Sequence, residues 1–160
     1  MATEKLKFKI ELYATMWDKP PVAEIIVDGK SHFKGDITST EDKPTLIEFE
    51  AELEEDKNID LIIDRTNKGG NQTVVNEKGD ILKDQLLHIK KIEIDEIDLG
   101  SLVFNGVYTP KYPEPWATQQ AEAGNTLRES FTNVTQMGHD GAWKFTFSSP
   151  FYMWLLENLY

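Results

Sequence analysis

Apolar and polar side chains alternate one by one in several parts of the chain. Near the start, Leu6, Phe8, Ile10, Leu12 and Ala14 alternate with charged residues and a tyrosine. Successive side chains of a β-strand point to opposite faces, so this spacing turns one face toward a core and the other toward water. The pattern therefore predicts a half-buried strand.

The same alternation recurs further along the chain. Apolar residues occupy every second position from Ile47 to Leu53, with glutamates between them, and Ile59, Leu61 and Ile63 repeat the spacing. Glutamates four residues apart also suit a helix, but strict twofold alternation favours strands. The sequence predicts two more strands here and a strongly acidic outer face of one sheet.

Turn signals separate these and other apolar stretches. Gly29 follows Asp28 and readily supplies the positive φ of a tight turn, so a β-hairpin is predicted there. Further strands are expected at Leu86–Ile89, Ile92–Ile97, Ser101–Phe104 and Trp143–Phe147. Many short strands with turns between them indicate a mainly β fold, an antiparallel β-sandwich.

The composition changes between Tyr108 and Ser130. Prolines alternate with aromatic residues there: Pro110, Pro113 and Pro115 lie among Tyr108, Tyr112 and Trp116. Prolines at this density favour an extended, stiff segment. The rings can form a platform for sugar rings, anchor an arm in a neighbouring subunit, or fold back over the same sandwich. We prefer the arm, because the prolines hold it open and an apolar C-terminus follows.

The last ten residues are apolar at nearly every position. Ser149-Pro150 is a typical helix start and precedes the stretch from Phe151 to Tyr160. A helix that is apolar nearly all round cannot hide its surface in one core contact, so a second surface must cover the remainder. We therefore predict a short C-terminal helix. The residues assigned to a partner interface are Tyr108, Tyr112, Trp116, Phe151, Trp154, Leu155 and Leu159.

The length of 160 residues suits a single domain, since domains average roughly 150 residues. Within it we expect residues 1–107 to form the sandwich core and residues 108–130 the extended arm. Residues 131–160 supply the final strand and the C-terminal helix, which complete the same domain.

The charge of the chain limits its partners. Against 17 Lys and Arg stand 28 Asp and Glu, a formal charge of −11. Phosphate backbones and anionic lipid repel such a chain, so neither nucleic acid nor a membrane is an expected partner. The absence of cysteine excludes disulfides and thiolate chemistry. Because the first residues alternate in charge and no apolar run reaches about 18 residues, we expect synthesis in a cytoplasm.

No enzyme motif is present in the sequence. His32, His88 and His139 fit no zinc pattern, and the chain has no P-loop, dinucleotide-binding or nucleophile-elbow motif. Spacing alone selects no catalytic pair among the acidic residues, so we expect no catalytic activity. Two acidic groups can offer oxygen ligands to a hard cation. They are the run Glu93, Asp95, Glu96 and Asp98, which also suits an exposed strand and turn, and the pair Asp80 and Asp84.

The stretch from Leu61 to Ile94 resembles the calcium-dependent carbohydrate-binding modules of the xylan-binding type. Those modules carry a strand ending in Phe-Thr-Asn-Asp, a Gly-rich loop and then Asp-Arg-Asn-Leu-x-Val-Asp. Asp64–Lys68 corresponds here to the first element and Asp84–Lys90 to the second, while Ile25–Gly29 resembles their Val-x-Val-x-Gly hairpin. The resemblance covers residues 8–98 and implies a jelly-roll-like sandwich.

The sequence departs from this family at two positions that matter for calcium. Lys68 and Lys90 stand where the family has aspartates, and a lysine ammonium repels a cation. Asp84 alone carries over as a metal ligand. We therefore expect no cofactor, and calcium bound through Asp84 is the alternative that the resemblance implies.

Two functional hypotheses follow from the resemblance and the apolar tail. Sandwiches of this type also occur in virion proteins of tailed phages, and Trp143–Phe151 is similar in style to small phage structural subunits. The leading hypothesis is a non-enzymatic subunit of a phage particle, in a capsid or tail, that assembles with other virion subunits after synthesis in the host cytoplasm. The alternative is a calcium-dependent module that binds polysaccharide by stacking sugar on Tyr108, Tyr112 and Trp116.

Overall fold

Two antiparallel β-sheets make up most of the computed structural model, which describes residues 2–16, 19–67, 74–75, 77–78, 81–112 and 114–159. In chain order the strands are β1 (Thr3–Thr15), β2 (Val22–Val27), β3 (Lys30–Asp36), β4 (Thr45–Glu54), β5 (Lys57–Thr66), β6 (Val74–Val75), β7 (Ile81–Lys83), β8 (Leu86–Ile94), β9 (Ile97–Asp98), β10 (Val107–Pro110), β11 (Phe131–Thr132), β12 (Gln136–Met137) and β13 (Gly141–Ser149). The helices are a 3₁₀ helix (Gly100–Asn105), α1 (Trp116–Glu122) and α2 (Phe151–Leu159).

The strands divide into two layers and a small separate pair. Sheet I has the order β12-β8-β1-β4, with β9 also paired to β8, and sheet II has the order β11-β10-β13-β5-β2-β3. The strands β6 and β7 pair with each other. The mainly β class, the sandwich of two antiparallel sheets and the short C-terminal helix are therefore confirmed. In the described ranges, no helix has the length and apolar character needed to cross a membrane.

The core lies between the two sheets and follows the twofold alternation. Leu6, Phe8 and Ile10 of sheet I are at most 1% exposed, as are Ile59 and Leu61 of sheet II. The inward face of each strand thus packs against the other sheet, as the apolar spacing predicted.

The predicted hairpin at Asp28-Gly29 is confirmed. It joins β2 to β3, and both central residues have positive φ, 51° at Asp28 and 82° at Gly29. Two-residue hairpin loops favour this conformation because its twist matches that of the strands.

The outer face of sheet I is not the acidic surface that the sequence led us to expect. The glutamates of β4 do point outward, but the lysines of β1 lie opposite them in the register. These opposite pairs are Lys5 with Glu52, Lys7 with Glu50, and Lys9 with Glu48. A cross-strand pair of opposite charges contributes about 0.2–1 kcal/mol, so this face carries mixed charge that supports the sheet.

The strand predicted at Ser101–Phe104 is wrong, because this stretch forms the 3₁₀ helix. Leu102 and Val103 are both buried, although neighbours in a strand point to opposite faces. Gly100 starts the helix with a φ of 55°, and its N–H donates to Asp98 Oδ1 over 2.9 Å.

The extended arm expected between residues 108 and 130 also differs from the structure. β10 pairs with β11 on one side and β13 on the other, and α1 follows it. Tyr108 in β10 is only 4% exposed, since its ring belongs to the core. The segment therefore folds back over its own sandwich, the third interpretation of the sequence. Pro113 lies outside the described residues.

The predicted helix after Ser149-Pro150 is confirmed as α2, which is held to the start of the chain. Glu4 in β1 accepts hydrogen bonds through Oε1 from Ser149 Oγ and from the Phe151 backbone N–H, both over 2.8 Å. A carboxylate at a helix N-terminus satisfies a free N–H and interacts well with the helix dipole. β1 and α2 therefore meet at one end of the sandwich.

Candidate functional site

Three aromatic rings lie together at the edge of sheet II. Tyr112 follows β10, Trp116 begins α1, and His139 precedes β13. The ring centroids lie 5.9 Å apart for Tyr112 and Trp116, 5.1 Å for Tyr112 and His139, and 5.6 Å for Trp116 and His139. We call these three residues the aromatic cluster. Trp116 is 37% exposed, and the other two are half-buried.

The buried Tyr108 is hydrogen-bonded to the backbone of the aromatic cluster. Its hydroxyl donates to the carbonyl oxygen of His139 over 2.5 Å and accepts the His139 backbone N–H over 2.9 Å. Burial raises the pKa of Tyr108 to about 12, so the hydroxyl keeps its proton at neutral pH. This pair of hydrogen bonds fixes the backbone that carries the His139 ring.

The loop between α1 and β11 fixes the other side of the cluster. Tyr112 donates its hydroxyl proton to the carbonyl oxygen of Arg128 over 2.6 Å. The Arg128 guanidinium lies 4.9 Å from the centre of the Phe131 ring, within the range of a cation–π contact. Phe131 in turn stacks beside Tyr108 at 6.1 Å. The aromatic cluster is therefore held in place by its neighbours.

A fully buried arginine lies next to this region. Arg65, near the end of β5, is 0% exposed. Its Nη1 donates to Asp140 Oδ1 over 3.0 Å, and its Nη2 donates to the carbonyl oxygen of Gln85 over 2.6 Å and to Gln85 Oε1 over 2.8 Å. Burial lowers the pKa of the Arg65 guanidinium, and Asp140 opposes that shift. A buried charge needs such partners, because removing it from water is costly.

The residues assigned to a sugar platform divide into two groups. The structure brings Tyr112 and Trp116 together, as neighbours in the aromatic cluster. Tyr108 has no free ring face, because it packs in the core, and this corrects its assignment to an exposed platform or interface. His139 was not predicted to join these rings. The pairing of β13 with β10, which lie far apart in the sequence, brings it to them.

The acidic groups considered for a cation have other roles in the described residues. Asp95 and Glu96 form a tight turn with φ values of 53° and 70°, and Asp95 Oδ2 accepts the Tyr152 hydroxyl over 2.5 Å. Asp84 Oδ1 accepts the Gln85 backbone N–H over 2.8 Å. No three acidic or histidine side chains in the described ranges form a metal-binding group. Asp80 and Lys68 lie outside those ranges.

The helix α2 has one buried and one exposed side. Phe151 and Leu155, 0% and 7% exposed, are in the core of their own chain, and Trp154 packs on Phe145 and Phe147. Their assignment to a partner interface is therefore corrected for Phe151 and Leu155, whose spacing of four residues defines the inward side. The side chain of Leu159 lies outside the described residues.

The opposite side of α2 carries large apolar residues that were not among the predicted interface residues. Tyr152, Met153 and Leu156 are 46%, 59% and 59% exposed, and we call them the exposed α2 face. An open groove of about 570 Å³ runs beside it, between Met153 and Lys57. The helical period that marks the inward side also locates this face.

The fold is a β-sandwich of the type seen in carbohydrate-binding modules. One solved structure with this fold is a selenomethionine form of vCBM60, described with a circular permutation that links two families of calcium-dependent carbohydrate-binding modules. It is 10% identical, covers 88% of this chain and 89% of that chain, and has a TM-score of 0.50. Another, vCBM60 in complex with galactobiose, is 11% identical, covers 87% and 96%, and has a TM-score of 0.49.

These comparisons concern the fold. No protein-family model and no curated protein matches the chain. The resemblance to calcium-dependent carbohydrate-binding modules is thus confirmed at the level of the sandwich. The structures compared carry no information on a phage particle.

Proposed function

We propose that the chain is a non-catalytic glycan-binding module that holds sugar on the aromatic cluster. The observation that carries the proposal is the exposed Trp116 ring, which two half-buried rings hold in place. The apolar faces of sugar rings pack well on aromatic faces. Because the ring is already ordered, little side-chain entropy is lost when a ligand binds. The fold likeness to carbohydrate-binding modules supports the same class.

The exposure of Trp116 argues against a purely structural role for the cluster. Full burial of a large aromatic side chain stabilises a fold by about 2 kcal/mol or more. Trp116 contributes only part of that stabilisation, because it remains partly exposed at the start of a helix that has no buried residue. A tryptophan that is both ordered and exposed is typical of a binding surface.

Replacement of Trp116 by alanine tests the proposal. We expect the affinity for the bound glycan to fall roughly 30-fold, equal to about 2 kcal/mol, because a central aromatic contact is lost. Trp116→Phe keeps a ring and should retain most of the affinity. Isothermal titration against galactobiose and soluble xylan, galactan and glucan samples provides the measurement.

Tyr152→Ala is the matched control for that experiment. Tyr152 is also an exposed aromatic residue, but it lies after the end of β13, whereas His139 of the aromatic cluster lies before the start of β13. The nine residues of β13 span roughly 30 Å, so the control lies at the other end of the sandwich. Unchanged affinity in Trp116→Ala, or an equal loss in Tyr152→Ala, contradicts the proposal.

A second candidate function is assembly with other copies of the chain, and the exposed α2 face favours it. Neighbouring apolar side chains that remain this exposed are a common mark of a protein interface. A phage particle is the setting we propose for this candidate, with the virion as its location.

Introduction of negative charge on this face tests the second candidate. We expect Met153→Glu combined with Leu156→Glu to leave a folded monomer, because charges at the centre of an apolar contact oppose association. Sedimentation velocity compares this variant with the wild type and with Phe104→Glu, a control at another exposed apolar residue. A wild-type chain that sediments as a monomer at every concentration excludes self-assembly. Deletion of α2 is not a suitable test, since Phe151 and Leu155 belong to the core.

A further inference from the structure

The surroundings of Arg65 join several loops at one point. Gln85, which accepts two hydrogen bonds from the guanidinium, donates through Nε2 to the carbonyl oxygens of Lys19 over 2.7 Å and Asn67 over 3.3 Å. Asn67 donates through Nδ2 to the carbonyl oxygen of Pro20 over 2.8 Å. The loops after β1 and β5 and the residues before β8 are therefore tied to one buried cation.

The oxygen atoms at this point are of the kinds that a hard metal ion prefers. They are one carboxylate oxygen of Asp140 and the backbone and side-chain carbonyl oxygens of Gln85. Calcium takes six to eight oxygens at about 2.3–2.6 Å. All three oxygens accept hydrogen bonds from Arg65, whose positive charge repels a second cation. This donor set does not fit calcium while the arginine is in place.

The same arginine is coupled to the aromatic cluster through one short stretch of backbone. Asp140, its ion-pair partner at 3.0 Å, directly follows His139. The carbonyl oxygen of Asp140 also accepts the backbone N–H of Lys111 over 2.5 Å, next to Tyr112. The ion pair thus fixes the backbone beside two of the three clustered rings.

We propose that the guanidinium of Arg65 supplies the positive charge at this end of the sandwich and positions the aromatic cluster without a divalent metal ion. We call this guanidinium the resident cation. Arg65 is a positioning residue, because it acts on the rings through Asp140. The role of the cluster in holding sugar rests on the proposed function, whereas the metal-independent order of the loops does not.

The first test is a thermal melt of the full chain in excess calcium chloride and in excess chelator. We expect identical midpoints, because the cation is part of the chain. If the folded chain had a calcium site, a calcium concentration 100 times its dissociation constant would raise the melting midpoint by roughly 5–10 °C. The calcium-dependent vCBM60 serves as the positive control. A rise of that size in this chain overturns the inference.

The second test follows the Trp116 ring itself in two arginine variants. The indole N–H resonance of Trp116, assigned by its loss in Trp116→Phe, reports the stacking on His139. Arg65→Lys keeps a positive charge, so we expect a resonance nearer the wild-type position than in Arg65→Met. Equal displacement in both variants, or none in either, contradicts the positioning role of the cation.

These tests separate the inference from the proposed function. Suppose that no glycan binds, that calcium does not change the melting midpoint, and that the lysine variant keeps the resonance near its wild-type position. The glycan-binding proposal is then wrong, and the inference about the resident cation is supported. If glycan binds only when calcium is present, the inference about the resident cation is wrong and the glycan-binding proposal is supported.

Discussion

Replacing Arg65 with methionine is expected to destabilise the fold by about 3 kcal/mol, because buried acceptors lose a charged donor. The two oxygens of the buried Gln85 lose the hydrogen bonds from the guanidinium, Asp140 loses its ion pair with Arg65, and methionine supplies no donor. For a chain of this length the melting midpoint should fall by roughly 10 °C. Differential scanning calorimetry provides the measurement.

A double variant separates the effect of breaking the ion pair from the effect of replacing the arginine side chain itself. Arg65→Met combined with Asp140→Leu removes both charges, so no carboxylate is left beside an apolar side chain. We expect it to melt above the single variant, since an ion pair replaced as a whole costs less than one that is broken. A single variant that melts at the wild-type midpoint would show that the buried cation contributes little.

Gly141→Ala is expected to cost about 3 kcal/mol, at the upper end of what overpacking does. A Cβ at Gly141 would lie 2.3 Å from the carbonyl oxygen of Thr109 and 2.8 Å from Pro110 Cα. Both are backbone atoms of β10, so the strand itself must move away from β13. Urea unfolding should show a lower midpoint with an unchanged slope.

The matched control for this substitution is Gly138→Ala, in the loop that precedes β13. A Cβ at Gly138 meets only Leu86 Cδ2 at 3.5 Å, an ordinary contact. Its effect should stay within about 0.5 kcal/mol. If the two variants unfold alike, the close approach of β10 to Gly141 is not what constrains this strand. Because β10 leads to Tyr112, we also expect Gly141→Ala to weaken glycan binding.

The strands that the sequence predicted well are those with one face in the core. β1 and β4 have a long twofold alternation of apolar and polar residues, and β5 keeps it except at Ile62, so a half-buried strand explains all three. Ser101–Phe104 has too few residues to show a period, and a short apolar run does not distinguish a strand from a helical turn. The φ of Gly100 and the side chain of Asp98 decide its structure.

The candidate site was only half accessible to sequence reasoning. Tyr112 and Trp116 are four residues apart, so a local pattern found them. Arg65 and Asp140 are 75 residues apart and meet because β5 pairs with β13. No local pattern marks that pairing, and His139 joins the cluster through the same strand. The acidic outer face was predicted wrongly for a similar reason, since one strand does not show which charges lie opposite.

The contact of Glu4 with the start of α2 also determines how the sandwich can be tethered. A chain that precedes β1 leaves from the end of the sandwich where α2 begins, and the aromatic cluster lies at the other end of β13. A linker attached before β1 therefore does not cover Trp116. Because the nine residues of α2 span only about 14 Å, a loop can join its end to the start of β1. New termini opened in the exposed hairpin at Asp28-Gly29 should therefore yield a circularly permuted chain with the same surface.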